Sequence, residues 1–145
     1  MQKTDANAAG LRALSVMMGV FLMFMAIDKI GWLTDAGFLT GRLQEWRDMV
    51  GPLSRWYLDT FAIPGAPLFA RLVPIAELAA GTALILGFQV RLAATLTLLM
   101  VINFHFASDL IFKYSYLINA YGPPILGGLL ALAIGGRRLP LSLSK

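Results

Sequence analysis

114-YSYLINAYGPPILGGLLALAIGG-136 holds 23 consecutive residues without a charged side chain. A helix rises about 1.5 Å per residue and the hydrocarbon layer of a bilayer is about 30 Å thick, so a run of this length is enough to cross it. Moving back along the chain, 17 uncharged residues lie between Arg91 and Asp109. Between Arg71 and Arg91 lie 19 residues, of which only Glu77 is ionisable. Between Arg12 and Asp28 lie 15 more, and the apolar pattern runs on past Asp28 and Lys29 to Trp32. The hydrophobic fraction is 58% and the mean hydropathy is +0.71, above the roughly 45–50% apolar usage of soluble domains.

Only helices and closed barrels satisfy their own backbone in lipid. A barrel needs segments of alternating polarity, and 78-LAAGTALILGF-88 does not alternate. The sequence therefore predicts an all-α integral membrane four-helix bundle. Residues 1–145 form a single transmembrane domain with spans at about 11–33, 66–88, 92–112 and 115–136. The apolar stretch at the N-terminus is expected to be a retained span and not a cleaved signal, because no short apolar core with a small-residue cleavage site stands out. Residues 1–10 are expected to be a frayed tail.

About thirty residues connect the first two spans, and all three tryptophans, Trp32, Trp46 and Trp56, fall there. Indole rings favour the boundary between headgroups and hydrocarbon. In 40-TGRLQEWRDMV-50, Leu43, Trp46 and Val50 recur at helical spacing, and 53-LSRWYLDTF-61 repeats the idea with Leu53, Trp56, Tyr57 and Phe61. Two short amphipathic helices on the membrane surface are expected; the equal alternative is a helical loop packed on the bundle end. Lys and Arg divide six against six between the two faces, Lys3 and Lys145 included. The reading adopted places both termini in the cytoplasm.

The chain has no cysteine, which removes disulfides and thiolate metal sites. The net charge of +4 fits residues flanking spans beside anionic headgroups, and no basic run points to nucleic acid. No metal site is expected from one histidine and scattered acids.

Glu77 is the sharpest chemical signal. A carboxylate in mid-span must face the bundle interior, find a partner or stay protonated. It reads either as a proton-handling or ligand-binding acid or as a structural acid. Gly81 lies one turn along and allows close helix approach. His105, Asp109 and Lys113 recur every four residues, with Asn103 and Ser108 nearby. That spacing puts a His–Asp pair on one helix stripe, or else a charged rim at the membrane edge. Asp28 and Lys29 are expected at the same face, giving a four-charge cluster with Asp109 and Lys113. Pro123 and Pro124 predict a kink or a broken start in the fourth span. Gly127, Ala131 and Gly135 predict a smooth packing face.

The stretches 77-ELAAGTALILGFQVRLAA-94, 24-FMAIDKIGW-32 and 135-GGRRLPLS-142 resemble the DoxX family of small bacterial and archaeal membrane proteins. The resemblance runs from about Leu11 to Leu141. It implies a four-helix membrane bundle in a redox setting, since some relatives are subunits of thiosulfate:quinone oxidoreductase. Lys29, Glu77, Gly81 and Arg91 match the family pattern. The function implied is an accessory subunit of a redox-linked membrane complex in the bacterial inner membrane, touching quinone and not catalytic on its own. The alternatives are a purely structural or assembly subunit, a pigment- or haem-contacting subunit through His105, and a small transporter, the last disfavoured because only one span is interrupted.

Overall fold

The computed structural model describes residues 3–143. The first helix, α1 (Lys3–Asp28), passes through a 3-10 turn at Ile30–Leu33 into α2 (Gly37–Met49) and α3 (Pro52–Tyr57), which runs on as a π turn over Leu58–Ala62. Then follow α4 (Ala66–Leu86), α5 (Val90–Ala107), 3-10 turns at Leu110–Phe112 and Tyr114–Ile118, and α6 (Pro123–Gly135). No strand occurs among the described residues. Helices α1, α4 and α5 are long and apolar enough to cross a membrane.

Two expectations about helix ends are corrected. Residues 3–10 are helical and not frayed; the first two residues of the expected tail, and Lys145 of the charge count, lie outside the described residues. The fourth span does not start near residue 115. Pro123 and Pro124 occupy the first turn of α6, where a missing N–H costs nothing. The residues before them form 3-10 turns and a loop, so α6 has only 13 residues, about 20 Å of rise.

The four long helices close a ring in which α1 packs on α4, α4 on α5, α5 on α6 and α6 on α1. The α1–α4 contact is set by two glycines. A Cβ on Gly19 would lie 2.7 Å from the Gly81 carbonyl oxygen, and one on Gly81 would lie 2.9 Å from that of Gly19. The small-residue close approach expected at Gly81 is therefore a glycine-on-glycine crossing. Next to it, the Arg12 guanidinium donates to the carbonyls of Leu84 and Ile85, and the Ser15 hydroxyl donates to Leu84. These bonds fill the open carbonyls at the end of α4. Gly87, at φ 69°, ends the helix with its N–H on Leu84 and the Phe88 N–H on Ala83, a Schellman ending that only a residue free to enter the left-handed region makes cheaply. Met18, Leu22, Leu84, Ala94, Leu129 and Leu132 fill this half of the bundle.

On α6 the expected packing face holds at Gly135, where a Cβ would lie 2.8 Å from Leu11, but not at Gly127. Gly127 is exposed and a Cβ there would meet nothing within 4 Å, whereas one on Gly128 would collide with the Met18 side chain. Arg91 ties α5 to α6 by donating from Nε to the Ala133 carbonyl.

A second core sits at the opposite end, where Leu39, Leu43, Val50, Leu58 and Ala62 of the connection pack on Ala66, Ala70 and Ala107. The connection is thus helical and docked on the bundle end. On α3 the buried stripe is Ser54, Leu58 and Ala62, and the expected apolar stripe points outward, with Trp56 56% and Phe61 52% exposed. When the surroundings are lipid or interface, both faces of a helix can be apolar, and sequence spacing does not say which is inside.

Candidate functional site

Between the crossing of the glycines and the docked cap, the helices enclose a cleft of about 560 Å³. Its floor carries an ion pair. Glu77 sits on α4 one turn past Pro74, which interrupts the helix ladder, and is 4% exposed. Lys29 follows the last residue of α1. The chain turns there into a 3-10 segment, and the lysine side chain runs back along α1 instead of out to water. Its Nζ donates to Glu77 Oε1 and Oε2, both at 3.0 Å, and to the Met25 carbonyl at 2.9 Å. The lysine is 8% exposed. The ammonium thus makes a forked contact to the carboxylate and a separate bond to the carbonyl. The Trp32 ring centroid lies 5.9 Å from the same nitrogen, within cation–π range.

The walls are largely aromatic, with Phe21, Trp32, Phe38, Trp46, Phe104 and Tyr121 facing the space. Asp28, Arg42, His105, Ser108 and Asn119 add polar groups. Among the lining residues, Asp28 and Glu77 balance Lys29 and Arg42, so the cleft carries no net charge with a neutral histidine.

Of the sequence candidates, the fold brings Lys29, Glu77 and His105, with Asp28 and Ser108, to this cleft and leaves Asn103, Asp109 and Lys113 elsewhere. α5 ends at Ala107, and Asp109 adopts a left-handed conformation at φ 62°. The helical stripe therefore stops before Asp109, and the expected His105–Asp109 pair does not form. Instead Asp109 accepts a bond from the Ser54 hydroxyl at 3.1 Å, tying α3 to the end of α5. Lys113 is exposed, so the four-charge cluster with Asp28 and Lys29 does not form either. Asn103 is exposed rather than buried, and its Oδ1 accepts from the Tyr57 hydroxyl.

His105 is buried and pairs with Tyr116, Nδ1 to hydroxyl at 3.1 Å, the rings meeting edge to face at 5.3 Å. Sequence reasoning missed Tyr116, Asn119 and Tyr121 because the last span was expected to be helical from residue 115. Their actual position depends on the loop before Pro123. It also missed Arg42 and the inward set of Trp46, which read on a helical wheel as surface and interface residues.

The Lys29–Glu77 floor and His105 fall in one matching segment, while Asn119, Tyr121 and Ile125 lie beyond it. The DoxX family model matches residues 10–108. The chain belongs to the DoxX family. This DoxX chain is an integral membrane protein in contact with lipid, and its family is often linked to redox and quinone-related systems. No curated protein and no solved structure matches the chain.

Proposed function

We propose that this DoxX chain is an accessory subunit of a redox-linked membrane complex and that its cleft holds a quinone headgroup. The observation carrying this reading is the Lys29–Glu77 pair at the floor of an aromatic-walled, electrically balanced cleft. Its volume of about 560 Å³ falls within the roughly 300–1,000 Å³ of small-molecule sites. A charged ligand would leave an uncompensated charge in a low-dielectric space. A neutral ring does not, and Trp32, Trp46 and Tyr121 offer flat faces for it. The donor set of His105, Ser108 and Asn119 suits carbonyl oxygens. A bound quinone supplies reversible carriage of electrons and protons within lipid; the residues of this chain bind it, orient it and hold water away from it.

The outward Trp56, Leu53 and Phe61 of α3 support seating the α2–α3 cap in the headgroup layer, where aromatic side chains are favourable. In this reading the cleft opens at the face opposite the termini. The termini lie in the cytoplasm of a bacterial plasma membrane.

Affinity purification from native membranes in mild detergent tests the proposal. A larger redox partner and extractable quinone are expected in the eluate. Glu77→Gln and His105→Phe should both impair quinone-linked turnover of that complex. An intact complex with unchanged turnover in both variants leaves only the structural role.

A further inference from the structure

The polar groups lining the cleft are not equally available to an occupant. The Lys29 ammonium is held by the Glu77 carboxylate, through a forked contact to Oε1 and Oε2, and by the Met25 carbonyl. Asn119 accepts the Tyr121 N–H at its Oδ1, which fixes the side chain and leaves its amide N–H groups for an occupant. The Ser108 hydroxyl leans toward the His105 carbonyl at a long 3.4 Å. Arg42 lies on the exposed cap. His105 is the buried member of the lining with one ring nitrogen held by a second side chain and the other not.

Tyr116 is 8% exposed, and burial pushes its phenol pKa up from the ordinary value near 10, so the hydroxyl keeps its proton at neutral pH. Among the described residues, that hydroxyl has one hydrogen-bond partner, His105 Nδ1. If Nδ1 carried the imidazole proton and donated it to the Tyr116 oxygen, the phenolic proton would be left buried with no acceptor, a costly state. The favourable arrangement has Tyr116 donating to a bare Nδ1, which places the imidazole proton on Nε2. Nε2 has no partner within the protein among the described residues. Nor is it sealed. The buried side-chain polar atom lacking a partner is the Thr97 hydroxyl, so Nε2 keeps contact with open space, and the space His105 lines is the cleft.

We infer that His105, held as the Nε2–H tautomer by Tyr116, is the donor that fixes the occupant of the cleft, a neutral lipid-soluble molecule with a carbonyl acceptor on a planar ring. His105 is the binding residue and Tyr116 a positioning residue that acts through it. The Lys29–Glu77 pair shapes and polarises the floor. The inference rests on the quinone-class reading of the cleft and adds to it which residue makes the bond and in which protonation form.

The chain has a single histidine, so [15N]histidine labelling of the full chain in lipid nanodiscs yields one pair of ring resonances. The expected spectrum is that of the Nε2–H tautomer, and Tyr116→Phe should convert it to a mixture. Decylubiquinone added to the nanodiscs should move the Nε2 resonance and quench the tryptophan fluorescence of Trp32 and Trp46. His105→Phe should weaken decylubiquinone about tenfold, the effect of one lost neutral hydrogen bond. His105→Gln, which keeps a side-chain N–H, should stay within about threefold of the parent, and serves if the phenylalanine variant does not fold. An Nδ1–H tautomer in the parent chain overturns the inference. So does quenching with an unmoved Nε2 resonance and an unchanged affinity in both variants, an outcome that leaves the quinone reading of the cleft standing. The absence of both quenching and any resonance shift across the titration overturns the two together.

Discussion

The two ends of the bundle solve opposite problems. At the end holding Gly19 and Gly81, backbone meets backbone, and the gaps are filled by Met18, Leu22, Leu84 and Leu132. The polar groups there, Arg12 and Ser15, are used up on the last carbonyls of α4. At the other end the same helices stand around a cleft, a lysine and a glutamate are buried in it, and a separate helical cap with its own core closes the bundle. Close approach at one end and open space at the other belong to one design: the glycines fix where α1 and α4 touch, and the ion pair occupies the place where they no longer do.

The hardest way to break that contrast is to unpair the charge. Glu77→Gln strands the Lys29 ammonium in a buried site, and breaking a buried pair costs about 3–5 kcal/mol. Thermal or denaturant unfolding in a fixed detergent should show that loss. The double variant Lys29→Met with Glu77→Met should recover most of it while removing the polar floor, which separates stability from ligand binding. Equal stability of Glu77→Gln and the parent would mean that no pair is formed.

At the dry end, Gly81→Val should cost about 1–3 kcal/mol, because the added Cβ meets the Gly19 carbonyl oxygen at 2.9 Å and the Met23 amide nitrogen at 3.1 Å. Both are main-chain atoms, which yield less easily than a side-chain tip. Removing one of the three donors to the end of α4 is milder. Ser15→Ala should cost about 1 kcal/mol, since Arg12 still reaches the Leu84 carbonyl. On the outside of the cap, Arg47→Ala should cost less still, as its partner Asp59 is exposed and water screens the pair. Gly127→Ala, which meets open space, should be neutral or stabilising by up to about 1 kcal/mol. A loss there equal to that at Gly81 would show that the wrong helix face has been taken as the packed one.

The dry end was the more legible half. Long uncharged runs mark α1, α4 and α5, and Glu77 stands out because an acid in such a run needs an answer from elsewhere in the fold. The answer, Lys29, is 48 residues away and reads in sequence as one member of a charge cluster at the membrane face, because nothing in its local pattern shows that its side chain turns back along α1. The cleft end was misread wherever a helix stops early. His105 and Asp109 share a stripe only if the helix continues, and it ends at Ala107. Tyr116, Asn119 and Tyr121 take their places from turns preceding Pro123, where helical periodicity carries no information. On α3 the aromatic stripe fits equally a face laid on lipid and a face packed on the bundle, and it is the small residues Ser54 and Ala62 that flank the buried Leu58. Hydrophobicity loses its directional meaning where the outside is also greasy.

The brevity of α6 has a consequence for the surrounding membrane. Its 13 residues present an apolar wall about 20 Å tall to a hydrocarbon layer of about 30 Å. Acyl chains beside that flank have to shorten, tilt or give way, at a cost of fractions of a kcal/mol per Å of mismatch. The other flanks, made by α1, α4 and α5, impose no such dent. The protein therefore carries a thin-side polarity around its circumference, and in a thicker bilayer that flank is the one along which sharing the deformation with another short-walled neighbour lowers the elastic strain.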